Sequence, residues 1–137
     1  MKTRLLIVDD HELIRDGIRE LLHGSDVVVV AEAANGHEAL EKLGQHEVDV
    51  ALVDIRMPGC DGFDFLTRLR NRDGAAPRVL MHSVEGGWKA VQRCAELGAH
   101  GLIPKGQEKN ELIRAIQRVQ AGSEVWGEYS RALSRGE

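Results

Sequence analysis

Five side chains suited to phosphoryl chemistry stand at the ends of apolar runs in this sequence. The adjacent pair Asp9 and Asp10 ends the first run, Asp54 lies near the end of the third, and Ser83 and Lys105 follow the fourth and fifth. Carboxylates bind hard divalent cations and can act as nucleophiles. An ammonium group and a hydroxyl group can hold the oxygens of a phosphoryl group. We therefore expect a site for a metal ion and a phosphoryl group if the fold brings these residues together.

The three aspartates are the candidate metal ligands. Carboxylates a few ångströms apart raise one another's pKa, and a divalent cation removes that repulsion. Mg²⁺ takes one or two carboxylates together with waters, so Asp10 and Asp54 are suitable ligands, with Asp9 bound directly or through a water. The backbone carbonyl of Arg56 could supply a further oxygen, and Mn²⁺ would accept the same ligands. Beside such an ion, one carboxylate could attack a phosphoryl group and hold it as an acyl phosphate.

Each of these residues also has an ordinary structural explanation. Asp9 or Asp10 could cap a helix, because an aspartate before a helix accepts hydrogen bonds from backbone N–H groups. Lys105 could be a solvated surface lysine, and Ser83 could belong to a turn. His11, next to the acidic pair, could be a metal ligand or a phosphodonor, but we expect an exposed polar residue that opens the first helix. The shared position of the five candidates at run ends favours the functional interpretation.

Short apolar runs alternate along the chain with segments of helical periodicity. The runs begin at about Leu5, Val27, Val48, Val79 and Leu102, and a face of apolar residues three and four positions apart follows each of them. Runs of Val, Ile and Leu without alternation are typical of a parallel sheet covered on both faces. The pattern predicts a doubly wound α/β sandwich of five βα units, flavodoxin-like, with a parallel five-stranded sheet of order 2-1-3-4-5. In such a sheet the ligand site lies at the carboxyl ends of the strands, between the first and the third.

Composition limits the classes of function. The chain of 137 residues is 42% hydrophobic and 29% charged, which is typical of one globular domain. Its 18 basic and 22 acidic residues give a net charge of −4, the wrong sign for a chain that binds DNA by itself. The apolar runs are too short for a signal peptide or a membrane span, so we expect a cytoplasmic protein without membrane contact. Cys60 and Cys94 lack metal-ligand spacing and are expected to be free thiols.

Four motifs at the run ends resemble the receiver domain of two-component response regulators, in particular the LuxR/NarL-type branch, whose members carry a helix-turn-helix output. The resemblance covers residues 4 to 120 and rests on Leu-Ile-Val-Asp-Asp-His at 6 to 11, Val-Asp-Ile-Arg-Met-Pro-Gly at 53 to 59 with Asp-Gly at 61 to 62, Val-Leu-Met-His-Ser at 79 to 83, and Gly-Leu-Ile-Pro-Lys at 101 to 105. It implies that Asp54 is the phosphoacceptor and that Asp9 and Asp10 hold Mg²⁺. It further implies that Ser83 is a switch hydroxyl and that Lys105 contacts the phosphate.

The sequence departs from this family at Leu102. The family usually carries a Tyr or Phe there, which swings inward when the switch hydroxyl moves. A leucine has neither ring nor hydroxyl to follow that movement. We therefore expect the coupling to be weaker or to use another residue, such as His82 or Trp88.

The resemblance implies a phosphorylation-dependent switch, not an enzyme with its own substrate, although such a switch assists its own phosphorylation and dephosphorylation. Its partner would be a sensor histidine kinase, and phosphorylation could produce a homodimer. Control of transcription, and contact with DNA, would pass through a LuxR-type output domain absent from this chain. We assign residues 1–122 to the receiver and residues 123–137 to an extension or to the start of a linker, and we expect that the chain is cut within that linker.

Three alternatives remain open. A haloacid-dehalogenase-like, Mg²⁺-dependent phosphohydrolase also uses a strand-end aspartate, but it needs Asp-x-Asp after the first strand, and the second position after Asp9 is His11. A flavodoxin-like FMN binder needs a Ser/Thr/Gly phosphate loop where Asp9 and Asp10 stand. A single-domain receiver that acts by protein–protein contact would need no output domain.

Overall fold

The computed structural model describes residues 2–84 and 86–135. The strands are β1 (Thr3–Val8), β2 (Val27–Ala33), β3 (Val50–Asp54), β4 (Arg78–Ser83) and β5 (Gly101–Pro104). The helices are α1 (Glu12–Leu22), α2 (Gly36–Leu43), α3 (Gly62–Arg70), α4 (Trp88–Glu96), α5 (Lys109–Gln120) and α6 (Ser130–Ser134), and a 3₁₀ turn (Gly127–Tyr129) precedes α6. Within the described ranges, every helix is too short or too polar to cross a membrane.

The five strands form one parallel sheet in the order β2-β1-β3-β4-β5, which confirms the predicted doubly wound, flavodoxin-like sandwich. The strand bounds differ from the apolar runs. Val48 precedes β3, whereas the polar residues Thr3 and Ser83 belong to strands. Thr3 pairs with Val27, and Ser83 pairs with Pro104. Pairing with a neighbouring strand therefore sets these strand ends more than hydrophobicity does.

Alternate strand residues supply two hydrophobic layers, one on each face of the sheet. Leu5 and Ile7 of β1 belong to the layer that also contains residues of α1 and α5. Leu6 and Val8 belong to the opposite layer, with residues of α2, α3 and α4. Because both faces are covered, the strands need apolar residues at consecutive positions, which explains the continuous runs. The two cysteines are buried free thiols, as expected.

The start of α3 packs directly on the end of β3. The Gly62 N–H donates to the Ile55 carbonyl at 2.9 Å. A Cβ atom at Gly62 would lie 2.5 Å from the Asp54 carbonyl oxygen, so this approach requires a glycine. Asp61 and Asp64 form a capping box that fixes the first turn of α3. These contacts therefore fix the loop between β3 and α3 both where it leaves β3 and where it enters α3.

The chain after α5 returns to the sheet at β5. Val125 forms a parallel bridge with Gly101. The Leu102 N–H donates to the Val125 carbonyl at 2.9 Å, and the Val125 N–H donates to the His100 carbonyl at 3.0 Å. Trp126 is buried in the same hydrophobic layer as Leu102. Residues 123–135 of the expected extension or linker are thus structured, and residues 136–137 lie outside the described residues.

Candidate functional site

Four metal-ligating side chains gather where β1 and β3 end. Asp9 and Asp10 follow β1, His11 precedes α1, and Asp54 is the last residue of β3. Each offers one ligand atom, and these atoms all lie within 4.8 Å of one another. Since β1 and β3 are parallel neighbours, their carboxyl ends meet at one edge of the sheet. The structure therefore brings together the three aspartates named from the sequence.

Lys105 reaches this acidic cluster from the end of β5. Its Nζ atom lies 2.8 Å from Asp9 Oδ2 and 3.1 Å from Asp54 Oδ2. The Lys105 side chain is 15% exposed, and the two carboxylates are nearly buried. Charged hydrogen bonds are stronger when they are shielded from water in this way. One ammonium group thus bridges two of the three aspartates.

Burial and the Lys105 ammonium act in opposite directions on the two bridged carboxyl groups. Burial raises the pKa of Asp54, and the opposing hydrogen bond from Lys105 does not cancel it. Burial also acts most strongly on Asp9, but hydrogen bonds from Lys105 and from the His11 backbone N–H together lower the pKa of Asp9. Burial disfavours the charged form of Lys105, yet the two carboxylates raise the pKa of that ammonium. Asp54 is therefore the less well compensated of the two negative charges.

The oxygen donors of the cluster fit a hard divalent cation. Asp10 Oδ1 is buried and accepts no hydrogen bond from any described residue, although it lies 3.2 Å from His11 Nδ1. A buried carboxylate oxygen without a partner is costly, and a cation held by Asp10 and Asp54 would satisfy it. The Arg56 backbone N–H donates to the Asp54 carboxylate. The role expected for the Arg56 carbonyl stays a prediction.

Ser83 lies at the same edge of the sheet, at the end of β4. It is buried, and the residue before it, His82, pairs with Asp54 across β3 and β4. The Ser83 carbonyl accepts a hydrogen bond from the Lys105 N–H at 3.0 Å, which joins the ends of β4 and β5. The fold thus brings Ser83 to the edge that carries Asp54 and Lys105. Its function as a switch hydroxyl stays a prediction.

Two residues at the cluster, its member His11 and the neighbouring Arg15, have no function that the sequence predicts. Arg15 donates from Nη1 to the Asp9 carbonyl at 2.7 Å and from Nε to Glu32 at 3.0 Å, so it ties the loop after β1 to β2. The His11 side chain is 66% exposed, as expected, but its Nδ1 atom lies 3.2 Å from an oxygen of both Asp9 and Asp10. His11 is the N-cap of α1 and Arg15 lies four residues later, so both stand at the start of the helix; this spacing is the signal that the sequence offers.

The two residues considered as substitutes for the missing aromatic at position 102 lie on opposite faces of the sheet. Leu102 and Trp88 belong to the layer formed with α2, α3 and α4. His82 lines a groove between α1 and α5 with Ile18 and Leu112, on the other face. Trp88 therefore lies on the same face of the sheet as Leu102, whereas His82 lies on the opposite face.

Comparison with known proteins identifies the family. Residues 5–117 match the family of response regulator receiver domains. The nitrate/nitrite response regulator NarL of Escherichia coli is 32% identical over 90% of this chain and 57% of its own length, and NarP of the same organism is 37% identical over 91% and 58%. The chain thus spans a little under three fifths of the length of these relatives.

Solved structures agree with this match. A two-component response regulator of the LuxR family from Aurantimonas superposes with a TM-score of 0.86 at 30% identity, over 100% of both chains. The receiver domain of the NarL protein of Mycobacterium tuberculosis superposes with a TM-score of 0.81 at 36% identity, over 88% of this chain and 98% of that one. The match favours a signalling switch over the phosphohydrolase and FMN-binding alternatives. The chain belongs to the receiver domain family of two-component response regulators, in the branch of the NarL and LuxR-type proteins.

Proposed function

We propose that Asp54 is the phosphoacceptor of this signalling switch and that Asp9, Asp10 and Asp54 hold Mg²⁺ or Mn²⁺ beside it. The observation that carries the proposal is the position of Asp54, which shares the cluster with two further aspartates and lies 3.1 Å from Lys105 Nζ. A nucleophile, a set of oxygen ligands and a cation for the phosphoryl oxygens therefore stand within one small site.

The proposed reaction forms an acyl phosphate on Asp54. A carboxylate oxygen of Asp54 attacks the phosphorus of a phosphohistidine on a sensor histidine kinase. The P–O bond forms as the P–N bond breaks, and the electron pair of that bond leaves with the imidazole nitrogen. Lys105 holds one phosphoryl oxygen, and the Ser83 hydroxyl donates to another. Asp9, Asp10 and Asp54 would hold a divalent cation, which would neutralise charge on the phosphoryl group and the carboxylates.

The same residues would assist the loss of the phosphoryl group to water. Arg56 is exposed and stands two residues after Asp54, a position from which its side chain can tune the lifetime of the acyl phosphate by obstructing the attacking water. This assistance is part of the switch and not a reaction on an independent substrate. The Arg56 carbonyl is the further metal ligand that we propose.

The proposed place of the switch is a cytoplasmic transcription regulator. Residues 1–122 form the receiver in this proposal, and residues 123–137 lead toward a LuxR-type helix-turn-helix domain that binds DNA. The support is the resemblance to NarL and NarP, which are longer than this chain. Phosphorylation would favour a homodimer. A receiver that acts by protein contact alone is the alternative.

The test is intact-mass spectrometry of the full chain after incubation with Mg²⁺ and acetyl phosphate. We expect one added phosphoryl group in the wild type, none in Asp54→Asn, and none when EDTA removes the metal. Asp73→Asn, which changes an exposed aspartate, is the matched control and should be phosphorylated like the wild type. A sensor histidine kinase should give the same adduct.

Two results would count against the proposal. Phosphorylation of Asp54→Asn at the wild-type level would place the phosphoacceptor elsewhere. Absence of any adduct with both acetyl phosphate and histidine kinases, in a protein that binds Mg²⁺, would mean that the cluster does not accept phosphoryl groups.

A further inference from the structure

The segment that follows α5 covers part of the free edge of the sheet. We call residues 123–134 the strap. Its backbone forms two hydrogen bonds with the β5 region, through the N–H and the carbonyl of Val125. A Cβ atom at Gly101 would lie 2.6 Å from the Val125 carbonyl oxygen and 2.9 Å from Leu80 Cδ1. The close approach of the strap therefore requires the glycine at position 101.

The strap also brings aromatic side chains to the face that holds Leu102. Trp126 is only 4% exposed and packs in the same layer as Leu102 and Val91, and its indole N–H donates to Glu124 at 2.6 Å. The Tyr129 ring lies 5.7 Å from the Trp88 ring, centroid to centroid. Aromatic pairs at this separation attract each other. The strap thus places two aromatic rings, those of Trp126 and Tyr129, on the face of the sheet where position 102 carries a leucine.

We propose that the strap responds to phosphorylation of Asp54: it lies on β5 and α4 in the resting protein and leaves that surface when Asp54 is phosphorylated. Trp126 and Tyr129 thereby replace the aromatic switch residue that Leu102 cannot provide. The proposal rests on the proposed function of Asp54.

The start of α4 connects the site to the strap. Trp88 is the first residue of α4 and follows Ser83 by five positions. Its N-cap is Gly87, which gives no side-chain hydrogen bond, and the first turn of α4 has no acidic residue. A helix start without these contacts is held weakly. Movement of Ser83 toward a phosphoryl group would therefore shift Trp88 and disturb its contact with Tyr129.

The contact between the strap and the domain is incomplete beside Trp126. A cavity of about 260 Å³ lies between the strap and the α4–β5 face, bordered by Val91, Leu102 and Pro104 on one side and by Trp126 and Tyr129 on the other. Atoms that border a cavity lose part of their dispersion contacts. The strap thus combines a backbone pairing and a buried indole with an unfilled cavity beside them.

The first test is ¹⁹F NMR of the full chain labelled with 5-fluorotryptophan. The sequence has two tryptophans, Trp88 and Trp126, and both belong to the contact with the strap or the layer beneath it. Trp88→Phe assigns the two resonances. We expect both to shift when beryllofluoride and Mg²⁺ are added as a phosphoryl mimic, and the Trp126 resonance to become sensitive to solvent. Neither should change in Asp54→Asn.

The second test uses reciprocity, because two linked equilibria must affect each other equally. Tyr129→Ala weakens the contact between the strap and α4, and it removes no fully buried side chain from the core. Loss of its ring contact should tighten the apparent affinity for beryllofluoride by about two- to tenfold, the effect expected for one aromatic pair. Arg131→Ala, an exposed position on α6, should leave that affinity unchanged.

The outcomes separate the two proposals. If mass spectrometry shows the phosphoryl adduct on Asp54 while the Trp126 resonance is unchanged and Tyr129→Ala binds beryllofluoride like the wild type, the strap proposal is wrong and the proposed function stands. If no adduct and no beryllofluoride binding are found in any variant, both proposals are wrong. Both proposals are supported if the adduct forms, the Trp126 resonance shifts, and Tyr129→Ala binds beryllofluoride more tightly than the wild type does.

Discussion

The neutral side chain of His82 makes the stability of the protein depend on pH. His82 is 6% exposed in β4. Burial, and secondarily the Lys105 charge, lower its pKa from 6.5 to about 4, and Asp9 opposes them weakly. The unfolded chain therefore binds a proton at a higher pH than the folded protein does. Stability contributed by neutral His82 is present above pH 6.5 and is lost as the pH falls through that value toward 4.

The size of the loss follows from the two pKa values. The full difference corresponds to about 3 kcal/mol of unfolding free energy below pH 4. At pH 5 most of the unfolded chains carry the proton and few folded ones do, so the loss there is about 2 kcal/mol relative to pH 7.5. His82→Leu removes the titrating group and places an apolar side chain in the groove lined by Ile18 and Leu112.

The assay is urea unfolding at pH 5 and pH 7.5, followed by circular dichroism. The wild type should lose about 2 kcal/mol more than His82→Leu between the two pH values. His100, whose pKa is also lowered by burial, is present in both proteins and cancels from the comparison. His46→Leu, at an exposed histidine, should behave like the wild type. Equal losses in the wild type and in His82→Leu would refute the argument, because His82 would then titrate alike in the folded and unfolded states.

Three further predictions concern the site and the elements that support it. Asn35→Ala removes the side chain that accepts the Glu38 N–H at 2.9 Å, so thermal or urea unfolding should show a loss of about 1 kcal/mol, and an unchanged midpoint would contradict the cap. Gly62→Ala places a Cβ atom 2.5 Å from the Asp54 carbonyl oxygen and should cost about 2 kcal/mol or more, with slower phosphorylation by acetyl phosphate; wild-type stability and rate would contradict that clash. Lys105→Met removes the cation that pairs with Asp9 and Asp54, so calorimetric titration should show Mg²⁺ binding at least about threefold tighter; weaker binding would mean that Lys105 organises the ligands instead of competing with the ion.

The sequence by itself determined the fold and most of the candidate site. Continuous runs of Val, Ile and Leu require a sheet covered on both faces, and their alternation with helical segments requires parallel strands. Since all strands of such a sheet end at one edge, residues after different strands, such as Asp9, Asp54 and Lys105, could be placed together without any knowledge of side-chain packing.

The tertiary structure alone decided how these residues are paired and what lies beside them. The sequence did not indicate that Lys105 bridges Asp9 as well as Asp54, because that depends on rotamers at the ends of β1, β3 and β5. His82 and Trp88 are equal candidates to replace the missing aromatic at position 102 when only the sequence is known, but in the folded protein they lie on opposite faces of the sheet. The sequence also contained no periodic signal for the strap, because the bridge between Val125 and Gly101 joins positions far apart in the chain. Periodicity records contacts within one element, and contacts between distant segments become visible only when the chain is folded.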